Sequence, residues 1–120
     1  MRWGMCKLPQ YKGARIPIAK LRYCLDLGHP TGRHKARVFA SALGLTIEDV
    51  AVLEKMLRRG ISEHEAKRVD EFADGTQRWV VEWIVMGRLG PLRFVSAWDS
   101  RGRGTGPRLV SCYLKKVNSL

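Results

Sequence analysis

The chain has 120 residues, 45% of them hydrophobic, and its 22 Lys and Arg against 11 Asp and Glu give a formal net charge of +11. This length fits one small domain over residues 1–120, and the hydrophobic content excludes a disordered basic tail. Because the sequence has neither an apolar run of about 20 residues nor a signal-peptide block, we expect no membrane partner and a cytoplasmic location.

Amphipathic helical spacing occupies the first part of the chain. We expect a first helix that begins at Pro17 and stops before Gly28, since proline is favoured at the first helical position. A second helix is predicted to begin around residues 30–32 and to end at Gly44. Both segments place apolar residues on one face, so we expect both to pack against a common core.

Two capping signals follow in the same half of the chain. Residues 46–49 (TIED) have the spacing of a capping box, and the apolar pattern behind them predicts a third helix to Gly60. Residues 62–65 (SEHE) repeat that spacing and predict a short fourth helix that ends at Gly75. The helical part of the domain is therefore predicted over about residues 16–75.

After Gly75 the composition changes to β-branched and aromatic residues with a period of two. Strands are predicted over residues 78–86, 92–99 and 108–115, and their Gly- and Pro-rich connections favour an antiparallel meander over about residues 77–116. The predicted fold class is α+β, with N-terminal helices packed on a C-terminal antiparallel sheet.

The strand patterns predict which side chains face the core. The first strand is apolar on both faces, so we expect it to be covered on two sides. The tryptophans Trp79, Trp83 and Trp98 are predicted core residues, and the alternative is that one of them lines a base-stacking platform. The last strand has one apolar and one polar face. The apolar face consists of Val110, Cys112 and Leu114, and the polar face of Ser111, Tyr113 and Lys115.

The sequence predicts neither a metal site nor a disulfide framework. The three cysteines, Cys6, Cys24 and Cys112, are far apart and form no CxxC pair, so they predict reduced thiols rather than a disulfide framework or a zinc site. The spacing of His29 and His34 matches no standard pair of metal ligands. We expect no metal and no cofactor.

The charge is unevenly distributed along the chain. Residues 1–37 carry a net charge of +8, residues 46–82 carry −3 and residues 83–120 carry +6. Two basic ends around an acidic middle favour a nucleic-acid partner, because positive potential supplies the non-specific part of nucleic-acid affinity. A membrane surface, an acidic protein, or no specific partner are the alternatives.

The most informative segment is HPTGRHK at residues 29–35. Its cations Arg33, His34 and Lys35 lie in the first turn of the predicted second helix, where they oppose the helix dipole. A phosphate bound by these side chains and by free backbone N–H groups would resolve that conflict. The alternative is that the side chains extend into water.

A second basic segment is the loop at residues 101–107. It either contacts a nucleic-acid backbone or is a plain turn between two strands.

These motifs resemble an uncharacterised bacterial domain family. Members of this family contain, in chain order, an LPN motif, a segment with Ile and Lys-Leu, the motifs HPxGRxKAxFF and TxxGxxY, and a final strand with the motif PRLVT-x-Y. The matching segments here are residues 8–9, 16–21, 29–39 (HPTGRHKARVF) and 107–113 (PRLVSCY). The order of elements is also similar to the layout of the barnase, EndoU, colicin and RelE-like ribonuclease toxins.

The resemblance implies a small, metal-independent endoribonuclease of bacterial toxin type that cleaves RNA through the 2′-hydroxyl. Its partners would be RNA and an acidic antitoxin or immunity protein. The implied catalytic residues are His29, Lys35, Tyr113 and Ser111. The candidate phosphate- and RNA-binding residues are Gly32, Arg33, His34, Arg78, Arg101, Arg103 and Arg108.

Two other functions stay open at this point. One is a binding module that holds nucleic acid without cutting it, which would show salt-sensitive binding and intact RNA. The other is a protein–protein component of a toxin–antitoxin pair, in which the acidic third and fourth helices make the contact. A basic partner and no affinity for RNA would favour that second alternative.

Overall fold

Helices precede a sheet along the chain, and the α+β prediction is confirmed. The computed structural model describes residues 6–102 and 104–117. Within that part of the chain the three α-helices are α1 (Ile18–Leu25), α2 (Arg33–Val38) and α3 (Val50–Glu63). The four strands are β1 (Ala66–Glu71), β2 (Gln77–Gly87), β3 (Gly90–Ser100) and β4 (Arg108–Lys116). None of the described helices is long and apolar enough to span a bilayer.

Local sequence signals explain where the helices begin and end. Pro17 precedes α1, as predicted. A π-helical turn over Phe39–Leu43 continues α2 and stops at Gly44, whose φ of 70° is a left-handed conformation that glycine adopts without cost. Before α3 the predicted capping box is present, because the backbone N–H of Thr46 donates to Asp49 Oδ2 at 2.8 Å.

The sheet is an antiparallel meander in the order β1-β2-β3-β4. Strands β2 and β3 pair along their whole length, and their hairpin closes where Gly87 opposes Gly90. Gly90 has a φ of 125°, which only glycine adopts readily. Strand β4 is the last strand of the sheet, so one of its edges has no neighbouring strand beyond a single parallel bridge between Arg15 and Arg108.

The predicted fourth helix is wrong. The chain instead extends α3 to Glu63 and then forms β1, so the sheet begins at Ala66 rather than near residue 77. Ser62 caps no helix, because its hydroxyl donates to the carbonyl of Arg59 inside α3. Ala66 pairs with Val81 of β2, a long-range contact that outweighs the local capping signal.

The predicted double cover of β2 is also wrong. Its inner face packs under the helices, where Trp79 is buried as expected and Trp83 is partly buried. Trp98, which opposes Trp79 on β3, is also buried as expected. Its outer face stays open, because Ile84 is 51% and Met86 72% exposed. Among the described residues the helices lie only on the inner side, so Ile84 and Met86 on the outer side are left without cover.

A β-bulge changes which residues of β4 face inward. Trp98 pairs with Leu109, and the register shifts between Ala97 and Trp98. Leu109 is therefore fully buried, while Val110, predicted to be a core residue, is only half-buried. The rest of the predicted pattern is confirmed, because Cys112 and Leu114 are buried on the inner face.

Buried polar groups in the sheet are paired. Ser96 has no exposed surface; its hydroxyl donates to the carbonyl of Val81 at 2.9 Å and accepts from the indole N–H of Trp98 at 2.9 Å. This hydroxyl ties β2 to β3 and satisfies the indole of a tryptophan that has no access to water.

Gly60 allows α3 to lie directly against the ring of Trp83. A Cβ at Gly60 would overlap that ring, which is itself stacked between His64 and Phe94. We expect Gly60→Ala to lower the free energy of unfolding by about 1–3 kcal/mol, because overpacking outweighs the gain in helix propensity. Urea unfolding measures this change. Gly28→Ala is the control, because a Cβ there meets only Asp26 Oδ1 at 3.4 Å. Equal stability of Gly60→Ala and the native protein would contradict this packing.

Candidate functional site

His29 organises the turn that leads into α2. Its ring Nδ1 accepts hydrogen bonds from the backbone N–H groups of Thr31 and Gly32, both at 3.1 Å, and lies 3.1 Å from the Thr31 hydroxyl. Two N–H donors require a lone pair on Nδ1, so the ring proton of neutral His29 is on Nε2. The edge of the ring packs on Tyr23, with centroids 4.5 Å apart.

These bonds alter the predicted anion site. The N–H groups of Thr31 and Gly32 donate to His29 Nδ1, and that of Arg33 donates to the His29 carbonyl at 3.1 Å. The imidazole therefore takes the place that the sequence analysis gave to a phosphate at those donors. The side chains of Arg33, His34 and Lys35 stay available for an anion, because all three are exposed.

Gly32 has a steric role in the same turn. A Cβ at this position would lie 3.0 Å from the Tyr23 ring and 3.3 Å from the Tyr23 carbonyl, closer than nearly all real contacts. Glycine therefore lets the turn pack on α1, and the Tyr23 hydroxyl lies 3.2 Å from the Thr31 hydroxyl across that contact. The turn that carries the cations is thus fixed to α1 by Tyr23.

Lys35 and Tyr113 lie together, although 78 positions separate them in the sequence. The ammonium of Lys35 is 5.0 Å from the centroid of the Tyr113 ring, a cation–π contact. Tyr113 pairs with Val95 and points to the outer face of the sheet, whereas the neighbouring Cys112 points inward. Lys35 therefore reaches from α2 around the edge of β4.

Strand β4 carries the other side chains of the candidate site. Ser111 and Tyr113 are both half-buried and share the outer face, where they oppose Ala97 and Val95. Farther along this face Lys115 forms a long ion pair of 3.9 Å with Glu82. The pair is about half exposed on both sides, so water screens it and it contributes little to stability. The outer face thus combines a phenol, a hydroxyl and charged side chains.

A second basic region lies at the start of β4. A cleft of about 590 Å³ is bordered by three exposed arginines, Arg15, Arg101 and Arg108, and by Thr76 and Thr105. The sequence does not predict Arg15 as a site residue. Its backbone forms a bridge beside Arg108, in which the Arg15 N–H donates to the Pro107 carbonyl and the Arg15 carbonyl accepts from the Leu109 N–H. Arg103, the remaining predicted arginine of this loop, lies outside the described residues.

Two carboxylates, Asp74 and Asp99, reduce the positive charge of this cleft. Asp99 is held by Arg78 through two hydrogen bonds of 2.8 and 3.0 Å, which raise the pKa of Arg78. Arg78 was predicted to bind RNA, but its guanidinium is committed to Asp99 and lies over the ring of Phe72. Hydrogen bonds from Thr76 lower the pKa of Asp74, and the charge of Arg101 lowers it further.

The comparisons with known proteins identify a family and no relative of known function. The model of a domain of unknown function, DUF6883, matches residues 7–116. No curated protein and no solved structure matches the chain. The match covers the helices, the turn with His29 and all four strands, so both walls of the candidate site lie inside the family domain.

The hydrogen bonds of His29 predict how substitutions at this position affect stability. His29→Ala removes the acceptor of two backbone N–H groups, so we expect the free energy of unfolding to fall by about 1 kcal/mol, as when a helix cap is lost. His29→Asn restores an acceptor oxygen and should recover most of this loss. Urea titration of the three proteins compares them. If alanine is tolerated as well as histidine, the capping role is wrong.

Proposed function

The chain belongs to the DUF6883 family, and we propose that it is a small, metal-independent endoribonuclease of bacterial toxin type that binds RNA along β4. The observation that carries the proposal is the meeting of Lys35 and Tyr113, which brings a cation of the HPTGRHK turn to a phenol of the last strand. The order of helices and strands, which is similar to the layout of the ribonuclease toxins, supports the same assignment.

Cleavage of RNA without a metal needs few groups from the protein. The 2′-hydroxyl of the substrate attacks the adjacent phosphorus and the 5′-oxygen leaves, so a proton is removed at one atom and supplied at another. Extra negative charge develops on the phosphate oxygens in the transition state, and fixed cations stabilise it. Lys35 and Arg33 supply those cations, and the hydroxyl of Tyr113 orients the phosphate or shares in proton transfer.

The geometry of His29 changes its role in this proposal. With Nδ1 accepting from two backbone N–H groups, Nε2 carries the proton and donates to a phosphate oxygen. For Nε2 to accept a proton, the ring proton of neutral His29 would have to be on Nδ1, and the hydrogen bonds from the N–H groups of Thr31 and Gly32 would be lost. His29 is therefore a positioning and hydrogen-bond donor group, and Lys35 acts as a cation. The Tyr113 hydroxyl supplies the proton to the leaving 5′-oxygen, and water takes the proton of the 2′-hydroxyl.

The arginine cleft extends the same surface. Arg101 and Arg108 lie at the start of β4, and Ser111 and Tyr113 follow on the outer face of the same strand. Tyr113 lies five positions after Arg108, which corresponds to about 16 Å along an extended chain. A single-stranded RNA that contacts both regions therefore spans several nucleotides, with Tyr113 at one end and the arginines at the other.

One observation favours binding of RNA without cleavage as the second candidate function. The ring of His29, the group best suited to proton transfer near neutral pH, is committed to a structural hydrogen-bond set. The same cations would then hold the RNA backbone, and Tyr113 would serve as a stacking surface.

The partners and location follow from this proposal. RNA is the substrate, and the net charge of +11 suits an acidic antitoxin or immunity protein that covers the basic surface. The proposed place of action is the cytoplasm, where the RNA is. The third possibility, a protein contact through two acidic helices, loses its fourth helix because that segment forms β1.

Lys35→Gln and Tyr113→Phe test catalysis. We expect the native protein to cut total RNA in the presence of EDTA and to leave cyclic phosphate ends, and each substitution to slow cleavage by about 100-fold or more. Lys55→Gln is the matched control, because it removes the same charge from an exposed position on α3 and should cut at the native rate. Gel analysis and end mapping of the fragments measure the rates.

Each outcome of that experiment has one meaning. Cutting that depends on Lys35 and Tyr113 but not on Lys55 supports the ribonuclease. Intact RNA with salt-sensitive binding that Lys35→Gln weakens selects the binding function instead. Neither cleavage nor binding by the native protein would overturn both candidate functions.

The arginine cleft is tested by the salt dependence of binding. For single-stranded RNA the logarithm of the binding constant falls with the logarithm of salt concentration by about 0.7 for each phosphate neutralised. The double variant Arg101→Gln, Arg108→Gln should therefore lower the slope by about 1.4, and Lys55→Gln should not change it. Fluorescence anisotropy with a labelled oligonucleotide gives the slopes, and an unchanged slope in the double variant would exclude the cleft from the RNA path.

A further inference from the structure

Two cysteines far apart in the sequence meet beneath the candidate site. Cys24 of α1 and Cys112 of β4 are 2% and 0% exposed, and their sulfur atoms are 3.6 Å apart. Both are free thiols in the structure, as is the exposed Cys6 near the start of the described chain. The Cys24 sulfur also donates to the carbonyl of Cys112 at 3.5 Å.

We propose that Cys24 and Cys112 are an oxidation site that forms a disulfide between α1 and β4, with a peroxide as the oxidant. The two residues are 88 positions apart and form no CxxC motif, so their spacing alone predicts reduced thiols and no disulfide. This proposal goes beyond RNA chemistry and does not rest on the function of the surface above it.

The geometry lies close to what a disulfide needs. The bond requires the sulfur atoms to be about 2.05 Å apart, so they must approach by about 1.5 Å from their present contact. Rotation of both side chains about their Cα–Cβ bonds by about 30° supplies such a movement within one rotamer well. No third side chain separates the two atoms, because the Cys112 S–H donates directly to the Cys24 sulfur.

The surroundings make the two thiols unequal. The hydrogen bond from Cys112 lowers the pKa of Cys24 to about 7, against the effect of burial, and the positive charges of Lys35 on α2 and Lys20 on α1 lower it further. The same hydrogen bond and burial raise the pKa of Cys112. Cys24 is therefore the thiolate that attacks an oxidant, and Cys112 is the thiol that resolves the product.

The reaction balances with hydrogen peroxide. The Cys24 thiolate attacks one peroxide oxygen and breaks the O–O bond; the leaving hydroxide takes a proton and becomes water, and Cys24 becomes a sulfenic acid. The Cys112 sulfur then attacks the Cys24 sulfur as its proton is lost, expelling a second hydroxide that becomes water. Two thiols are oxidised, one peroxide is reduced to two waters, and the small neutral oxidant reaches the buried pair through local opening.

The crosslink would join the two walls of the surface described above. Cys24 follows Tyr23, which packs on His29 and Gly32, and Cys112 lies between Ser111 and Tyr113. A bond between them holds α1, and with it the turn of residues 29–32, against β4. It also closes a long loop, which stabilises the folded state by restricting the unfolded chain.

The full native chain tests the proposal after treatment with a small excess of hydrogen peroxide. We expect the intact mass to fall by two hydrogen atoms, the number of reactive thiols after unfolding to fall from three to one, and a protease digest to contain a disulfide between the Cys24 and Cys112 peptides. The melting temperature should rise by on the order of 10 °C and return after reduction with dithiothreitol.

Cysteine variants separate the steps. Cys6→Ser should oxidise like the native protein, since the exposed cysteine has no part in the pair. Cys112→Ser should stop at the sulfenic acid, which dimedone traps on Cys24 as a stable adduct. A protein that keeps three thiols, that crosslinks only through Cys6 between molecules, or that oxidises further at Cys24 without a crosslink would overturn the proposal. These readouts use no RNA, so their failure leaves the proposed function untouched.

Discussion

The position of β4 at the end of the sheet is the constraint on which the candidate site depends. In the part of the chain that the structure describes, the helices lie only on the inner face, and α1 and α2 contact β4, one of the two edge strands of the sheet. A lysine of α2 can therefore reach a tyrosine on the far side of the sheet, which a central strand would not allow. An exposed edge strand can pair with another chain and cause aggregation, and a lysine at the edge opposes such pairing. Lys35 provides this charge at the edge of β4.

The site was only partly predictable from the sequence, for physical reasons. The capping box at Thr46 and the left-handed stop at Gly44 are local signals, and both formed as predicted. Long-range pairing decided the rest. The segment after Ser62 has the same local pattern as a capped helix, yet it became β1 because the edge of β2 was available to Ala66.

The contacts of single side chains were the hardest to predict. A bulge in β4 moved Leu109 into the core and Val110 out of it, although a strict period of two assigns them the other way. The pairing of Cys24 with Cys112 depends on how α1 crosses the sheet, which no spacing encodes. The sequence contains only a weak indication that His29 stabilises the turn. Its ring lies just before a Pro-Thr-Gly turn, where Nδ1 can accept hydrogen bonds from the backbone N–H groups of that turn.

Under the proposed function, RNA would replace the contact between Lys35 and Tyr113 with stronger interactions. An exposed cation–π contact contributes about 0.5–1 kcal/mol, whereas a charge-assisted hydrogen bond to an anion contributes about 1.5–3 kcal/mol. A phosphate bound near the α2 turn in this proposal would attract Lys35 away from the ring and uncover one face of Tyr113. Stacking of a base on that face is itself favourable by about 1–3 kcal/mol. Binding of the backbone and stacking of the base thus reinforce each other at this position, because the lysine cannot cover the ring and neutralise the phosphate at the same time.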